Sequence, residues 1–132
     1  MRTPHPTLTP HELAIMKVVW RLEEATVRDV YEALRGQRTV AYTTVMTMMR
    51  ILEAKGHLRK KQRERAHVYR PARQRHVVLG AMVRDFLDRV FDGASRPLLM
   101  HLTEDERLSA RERQALRRLV DEIDHEEGDR EE

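Results

Sequence analysis

The sequence contains no cysteine and no asparagine, has few aromatic residues and carries no long apolar run. Without thiols there is no disulfide, no thiolate metal site, no CxxC redox pair and no cysteine nucleophile. Aromatic residues make up 5% of the 132, and the five glycines form no phosphate-cradling loop. No segment approaches the ~18 apolar residues of a membrane span. Pro4, His5, Pro6 and Pro10 break up the first residues and Glu12 follows, leaving no apolar core of a signal peptide. The expectation is a cytoplasmic chain with no membrane insertion.

What is abundant is charge. Charged residues make up 36% of the chain, against a usual ~25%, which leaves more surface than core. That suits a small helical protein better than a large pocketed enzyme. The net charge of +3 is unevenly spread: residues 1–75 hold 16 Lys/Arg and 7 Asp/Glu, and residues 76–132 hold 9 and 15. Residues 50–75 alone carry 10 basic and 2 acidic side chains. A basic run can simply be a solvated face, but this concentration suits a polyanionic partner.

The order of elements sharpens that reading. Residues 1–8 read as a loose tail. Thr9-Pro10-His11-Glu12 is a capping box with proline at the first helical position, opening a helix to about Leu22. Leu13, Met16 and Trp20 share a face. Thr26 and Asp29 suit the start of a second helix, with Val27, Val30, Tyr31 and Leu34 as its apolar stripe and Gly36 at its end. A third helix is expected from Ala41 to Lys55, striped by Val45, Met48, Met49 and Leu52 and closed by Gly56. Two partly alternating runs follow, His57–Gln62 and Ala66–Arg70, with Arg63-Glu64-Arg65 between them. They predict a β-hairpin with a basic tip, closed by Pro71. Three helices and a hairpin in about 65 residues is the order of a winged helix-turn-helix.

The rest is helical. A long helix is expected from Arg73 to Phe91, a short one around Arg96–Leu102, and a last one opened by the Ser109–Glu112 capping box and running to about Asp124. Their apolar seams hold Val83, Phe86, Leu87, Val90, Phe91, Leu98, Leu99, Leu102, Leu116, Leu119, Val120 and Ile123. Such seams on so short a segment are most simply buried against a second copy of the chain. The expected fold is mainly α with a small β-hairpin. Residues 1–75 form a winged-helix DNA-binding domain, 76–126 a three-helix dimerisation domain, and 127–132 a disordered acidic tail.

The third helix carries the strongest functional signal. Its buried stripe turns Thr43, Met46, Thr47 and Arg50 outward, with Tyr42 and Thr44 flanking them near the N-terminal end. A recognition helix offers such a face to the major groove. Threonine reaches base edges and the thymine methyl, and Arg50 can pair with guanine or reach a phosphate. Backbone amides at Thr26 and Tyr42 can hold phosphates, and Lys60, Lys61, Arg63 and Arg65 of the hairpin, with Arg59, can track the backbone. The seven histidines show no metal-binding spacing, although His57 and His67 can be drawn facing each other across the hairpin. No enzyme, metal or cofactor is expected.

Several blocks of this sequence resemble the penicillinase-repressor (BlaI/MecI-type) transcriptional regulators. They are Leu13-Ala14-Ile15-Met16-Lys17-Val18-Val19-Trp20, Ala25-Thr26-Val27-Arg28-Asp29-Val30, Ala41-Tyr42-Thr43-Thr44-Val45 and Arg65-Ala66-His67-Val68-Tyr69-Arg70-Pro71, with Leu108-Ser109 opening the last helix. The resemblance runs from about Leu8 to Ile123. It implies a homodimer that binds a palindromic double-stranded operator and represses transcription. It also implies relief by a sensor-linked protease that responds to β-lactam and cleaves the dimerisation domain. The family's well-known cleavage site is an Asn-Phe bond; here the matching place reads Met100-His101-Leu102, which makes His101-Leu102 the candidate bond. A copper-responsive branch uses cysteines that this chain lacks, and Glu64 stands where the family's wing often has glycine. The contrasting expectation is a helical adaptor whose winged helix docks another protein; absence of salt-dependent DNA binding would favour it.

Overall fold

A computed structural model describes residues 7–131 of the chain. Its elements are α1 (Pro10–Leu22), α2 (Val27–Arg35), α3 (Tyr42–Ala54), β1 (Leu58–Arg63), β2 (Ala66–Pro71), α4 (Arg75–Phe91), α5 (Ser95–Thr103) and α6 (Ala110–Glu131). The chain divides into two compact units, residues 1–82 and 83–132, with the division inside α4.

Local chemistry sets the helix starts of the first unit. Thr9 and Glu12 exchange side-chain and backbone bonds at the head of α1, and Thr26 and Asp29 do the same at α2. These reciprocal bonds satisfy amides that a helix start leaves without partners. At the end of α3, Gly56 takes φ 84°, which glycine adopts without cost, and the His57 amide donates back to the Leu52 carbonyl at 2.9 Å.

The three helices bury their stripes together. Ile15, Met16 and Val19 of α1, Val30 and Leu34 of α2, and Val45, Met49 and Leu52 of α3 form the core with Leu58, Tyr69 and Val78. Leu13, Trp20 and Met48 lie half-buried at its edge. The buried arc of α1 therefore centres on Ile15, Met16 and Val19, not on the Leu13–Trp20 line. Leu8 is buried too, so it belongs to the core and not to a loose tail; residues 1–6 lie outside the described part. Trp20 donates its indole N–H to the Arg73 carbonyl at 3.2 Å.

β1 and β2 form an antiparallel hairpin in which Lys60 pairs with Tyr69, Gln62 with His67 and Arg63 with Ala66. Ala25, between α1 and α2, exchanges backbone bonds of 2.9 and 2.8 Å with Tyr69 and so fastens the hairpin to the helices. His57 precedes β1 and is buried, whereas His67 pairs with Gln62 and is exposed, so these histidines do not face each other.

In the second unit α5 and α6 pack together, and Arg96 grips Asp124 through two bonds, the shorter 2.7 Å. Ser109 and Glu112 form the expected capping box at α6. This helix continues to Glu131, well past the end near Asp124 read from sequence and through most of the segment expected to be disordered. Residues 125–131 contain no proline, and one glycine costs a helix only ~1 kcal/mol, so nothing local stops it.

Candidate nucleic-acid interface

The α1–α2 turn, α3 and the hairpin meet around one cleft. Thr26, Val27 and Arg28 form one wall, Tyr42, Met46 and Arg50 another, and Lys60, Arg65, Ala66, His67 and Tyr69 the third. Its volume is about 390 Å³. Four cationic side chains, Arg28, Arg50, Lys60 and Arg65, surround it. Burial pushes the Tyr69 hydroxyl above its usual pKa, with the Glu53 charge acting the same way and Arg50 opposing it. At neutral pH it is therefore a neutral O–H at the cleft wall.

α3 stands at this cleft because its opposite face is apolar. Burying Val45, Met49 and Leu52 leaves Thr43, Thr47 and Arg50 exposed, with Met46 half-buried beside them. Tyr42, at the first turn, packs edge-on against Tyr31 with ring centroids 5.6 Å apart. The Arg28 guanidinium lies over the Tyr42 ring, 5.2 Å from its centroid. The Tyr42 ring is thus held in place while the helix start stays open. The N-cap residue Ala41 offers no side-chain acceptor, and its carbonyl takes the Thr44 amide at 3.1 Å, which leaves the Tyr42 and Thr43 amides at the start of α3.

Five of the eleven residues proposed from sequence lie outside the cleft. Thr43 and Thr47 are on the exposed face of α3. Thr44 lies on the opposite flank of the buried Val45 from Met46 and lines a separate hollow with Ile15, Leu34, Val40 and Met48. Lys61 projects from the other face of the hairpin, since it alternates with Lys60. Arg63 donates to the Glu24 carboxylate at 2.7 Å.

One expectation is overturned. The Thr26 amide donates to the Asp29 carboxylate at 2.9 Å, so it is not open to a phosphate. The capping box that starts α2 uses it, together with the Asp29 amide, leaving only Val27 and Arg28 in that turn. Arg28 is the cleft cation that the sequence reading missed; Val27, Ala66, His67 and Tyr69 line the cleft as well. The signal for Arg28 was its place in the first turn of α2, two residues after the Thr26 cap. Glu32 accepts from Arg28 at 3.4 Å across the exposed α2 surface.

In the second unit the seam residues separate by burial. Leu87 and Val120 are already buried within the unit. Phe91, Leu98, Leu99, Leu102, Leu116 and Ile123 are half-buried. Val83, Phe86, Val90 and Leu119 stay open, at 53%, 40%, 51% and 47% exposed. Phe86 and Phe91 meet edge-on with centroids 5.8 Å apart, and Phe91 lies 5.9 Å from the His101 ring. His101 and Leu102 stand in the last turn of α5. No helix among the described residues is long and apolar enough to cross a membrane.

The family described as "Penicillinase repressor" matches residues 8–122. A transcriptional regulator BlaI from Mycobacterium tuberculosis (strain CDC 1551 / Oshkosh) is 39% identical over 121 residues, covering 90% of this chain and 86% of that protein. A penicillinase repressor from Bacillus licheniformis is 26% identical over 117 residues, covering 89% and 91%. These relatives bear the names of regulators and repressors, not of enzymes. A solution structure of the DNA-binding domain of the repressor BlaI matches with a TM-score of 0.50 at 29% identity, covering 55% of this chain and 88% of that one. It agrees with a winged-helix reading of the helices and hairpin described above. A match over so much of the length, together with a relative sharing more than a third of the residues, places this chain in the penicillinase-repressor family.

Proposed function

We propose that this chain is a homodimeric, sequence-specific DNA-binding repressor that acts on a palindromic operator. The observation that carries the reading is the cleft in which Arg28, Arg50, Lys60 and Arg65 converge beside the exposed face of α3. Four cations spaced over three elements match the repeated charge of a phosphate backbone. An α-helix with Thr43, Thr47 and Arg50 outward has the width and chemistry for the major groove. Tyr42, with the Tyr42 and Thr43 amides at the helix start, approaches a phosphate, and Lys60 and Arg65 follow the strand from the wing. Lys61 and Arg63 lie on the wing outside the cleft, where they can reach further phosphates.

The dimer rests on the second unit. Val83, Phe86, Val90 and Leu119 leave apolar surface in water on a unit of about 50 residues, and a second copy removes it. Two linked readers raise the effective concentration at paired half-sites, which lie about 10 bp or a multiple apart.

Relief of repression through a sensor-linked protease is the finest part of the proposal. The chain has no Asn-Phe bond. His101-Leu102, the candidate in its place, is helical, so a protease acting there must first unwind the last turn of α5. The DNA-binding claim is tested by fluorescence anisotropy with duplex DNA from upstream of the chain's own gene, against unrelated competitor at several salt concentrations. Tight binding that resists competitor and saturates at two chains per site is expected. Equal, weak binding to both DNAs would overturn operator recognition.

A further inference from the structure

Glu24 places a negative charge beside the proposed DNA-binding surface, where it would repel phosphate. It lies between α1 and α2, two residues before Thr26 of the cleft wall. The neighbouring Ala25 is fixed to Tyr69 of β2 by two backbone bonds, so the Glu24 carboxylate is held beside the hairpin. One oxygen accepts from Arg63 Nη1 at 2.7 Å, and the other lies 3.8 Å from Arg70 Nε. By contrast, Arg50, Lys61 and Arg65 have no ion-pair partner among the described residues. The wing therefore offers Lys61 and Arg65 ready for phosphate, Lys60 loosely paired with Glu53 at 3.8 Å, and Arg63 already occupied at hydrogen-bond distance.

The occupied one is held by an exchangeable bond. The Arg63 side chain is 53% exposed and that of Glu24 34%. Such pairs are weak in water, so a phosphate that arrives at close range can take the guanidinium. A phosphate that arrives only loosely must compete with a carboxylate already at bonding distance. Close approach is what seating the recognition helix on base edges provides, and random DNA does not provide it.

We propose that Glu24 is a specificity-determining residue, an internal anion that keeps Arg63 from non-specific DNA and yields it to phosphate in the operator complex. This rests on the DNA-binding function proposed above. Glu24 lowers affinity for the many wrong sites more than for the right one. A repressor gains from this, because competing genomic sequence and not bare affinity limits occupancy.

The test compares wild type, Glu24→Gln, Arg63→Ala and the double variant on a random-sequence duplex and on the upstream operator duplex. Glu24→Gln should tighten binding to the random duplex by about 2–5-fold and steepen its log–log salt slope by about 0.9, one added phosphate contact. The operator should gain less, and the random-DNA gain should vanish in the Arg63→Ala background. Circular dichroism verifies folding, and Glu24→Asp, with a shorter arm, supplies a second variant expected to move the same way by less. A Glu24→Gln variant that binds random DNA as wild type does would overturn the proposal, as would a gain that persists without Arg63. Wild type that binds neither duplex at low salt would instead overturn the proposed function itself.

Discussion

Arg50 and Arg65 both line the cleft, but they face different tasks. Arg50 projects from α3 beside Thr47 and Met46, toward where base edges would lie, whereas Arg65 sits at the hairpin turn. In the proposed complex, Arg50→Ala should cost about 1–3 kcal/mol on the preferred sequence and relax preference at one base position. Arg65→Ala should weaken all DNA alike and reduce the salt slope by about 0.9. Anisotropy on specific and random duplexes separates the two patterns, and equal weakening by Arg50→Ala would remove its base-reading role. At the hairpin tip, Glu64 holds φ 55°, in the left-handed region where a side chain costs about 1–2 kcal/mol. Glu64→Gly relieves that strain but adds chain entropy when unfolded, so a stability gain of at most ~1 kcal/mol is expected by urea denaturation. Loss of stability would show that the turn is not strained. The outward residues of α3 were legible because the buried stripe fixed their phase. Thr44 was not, since one residue of rotation decides between groove face and core edge. The pairing of Arg63 with Glu24 joins positions 39 residues apart, and no local pattern announces it.

At the scale of elements, α3 is tied to α1 by a buried ion pair. Lys55, just past α3, places its ammonium 2.9 Å from both oxygens of Glu12, whose side chain also completes the α1 capping box. Glu12 is only 4% exposed. Burial by itself raises its pKa, but bonds from the Thr9 amide and from Lys55 outweigh that and hold it below the usual 4.5. A depressed folded-state pKa stabilises the fold above the unfolded value. That contribution is lost as pH falls below about 4.5 toward the folded value. Lys55→Met leaves the carboxylate buried without its cation and should cost about 2–3 kcal/mol, less than the ~3–5 kcal/mol of a fully buried pair because Lys55 is partly exposed. Thermal unfolding at pH 7 should show the loss, and the gap from wild type should narrow at pH 3. A constant gap would contradict the ionic account. Helix starts were readable from the Thr-Pro-x-Glu, Thr-x-x-Asp and Ser-x-x-Glu patterns, since a cap is local chemistry. The same capping box consumed the Thr26 amide that sequence reasoning had assigned to phosphate. The end of α6 was not readable, because Gly128 looked like a stop without the backbone geometry that makes one.

For the whole molecule, charge and apolar surface divide the labour. The half up to residue 75 carries the excess of Lys and Arg, and the half after it carries the acids. The second unit, the smaller of the two, leaves Val83, Phe86, Val90, Met100 and Leu119 open, while the first exposes Leu22, Tyr42, Ile51 and Val77. In the proposed dimer, Phe86→Glu or Leu119→Glu should shift sedimentation from two chains to one and weaken operator binding by at least tenfold through lost linkage of half-sites. The shift should leave the helix content of the first unit unchanged. An unchanged dimer for both variants would refute the placement of the interface. The seams were legible as apolar stripes. Which seam residues face inward, such as Leu87 and Val120, was settled only by the packing of the second unit itself.

The central claim is that α3 reads sequence while the wing supplies charge. Selection from a pool of randomised duplexes with the intact chain tests it most directly. The account predicts an enriched palindrome whose half-sites lie about one helical turn or a multiple apart, with one position losing its preference when Arg50→Ala is used. Recovery of no common sequence, with binding that tracks salt alone, would contradict it.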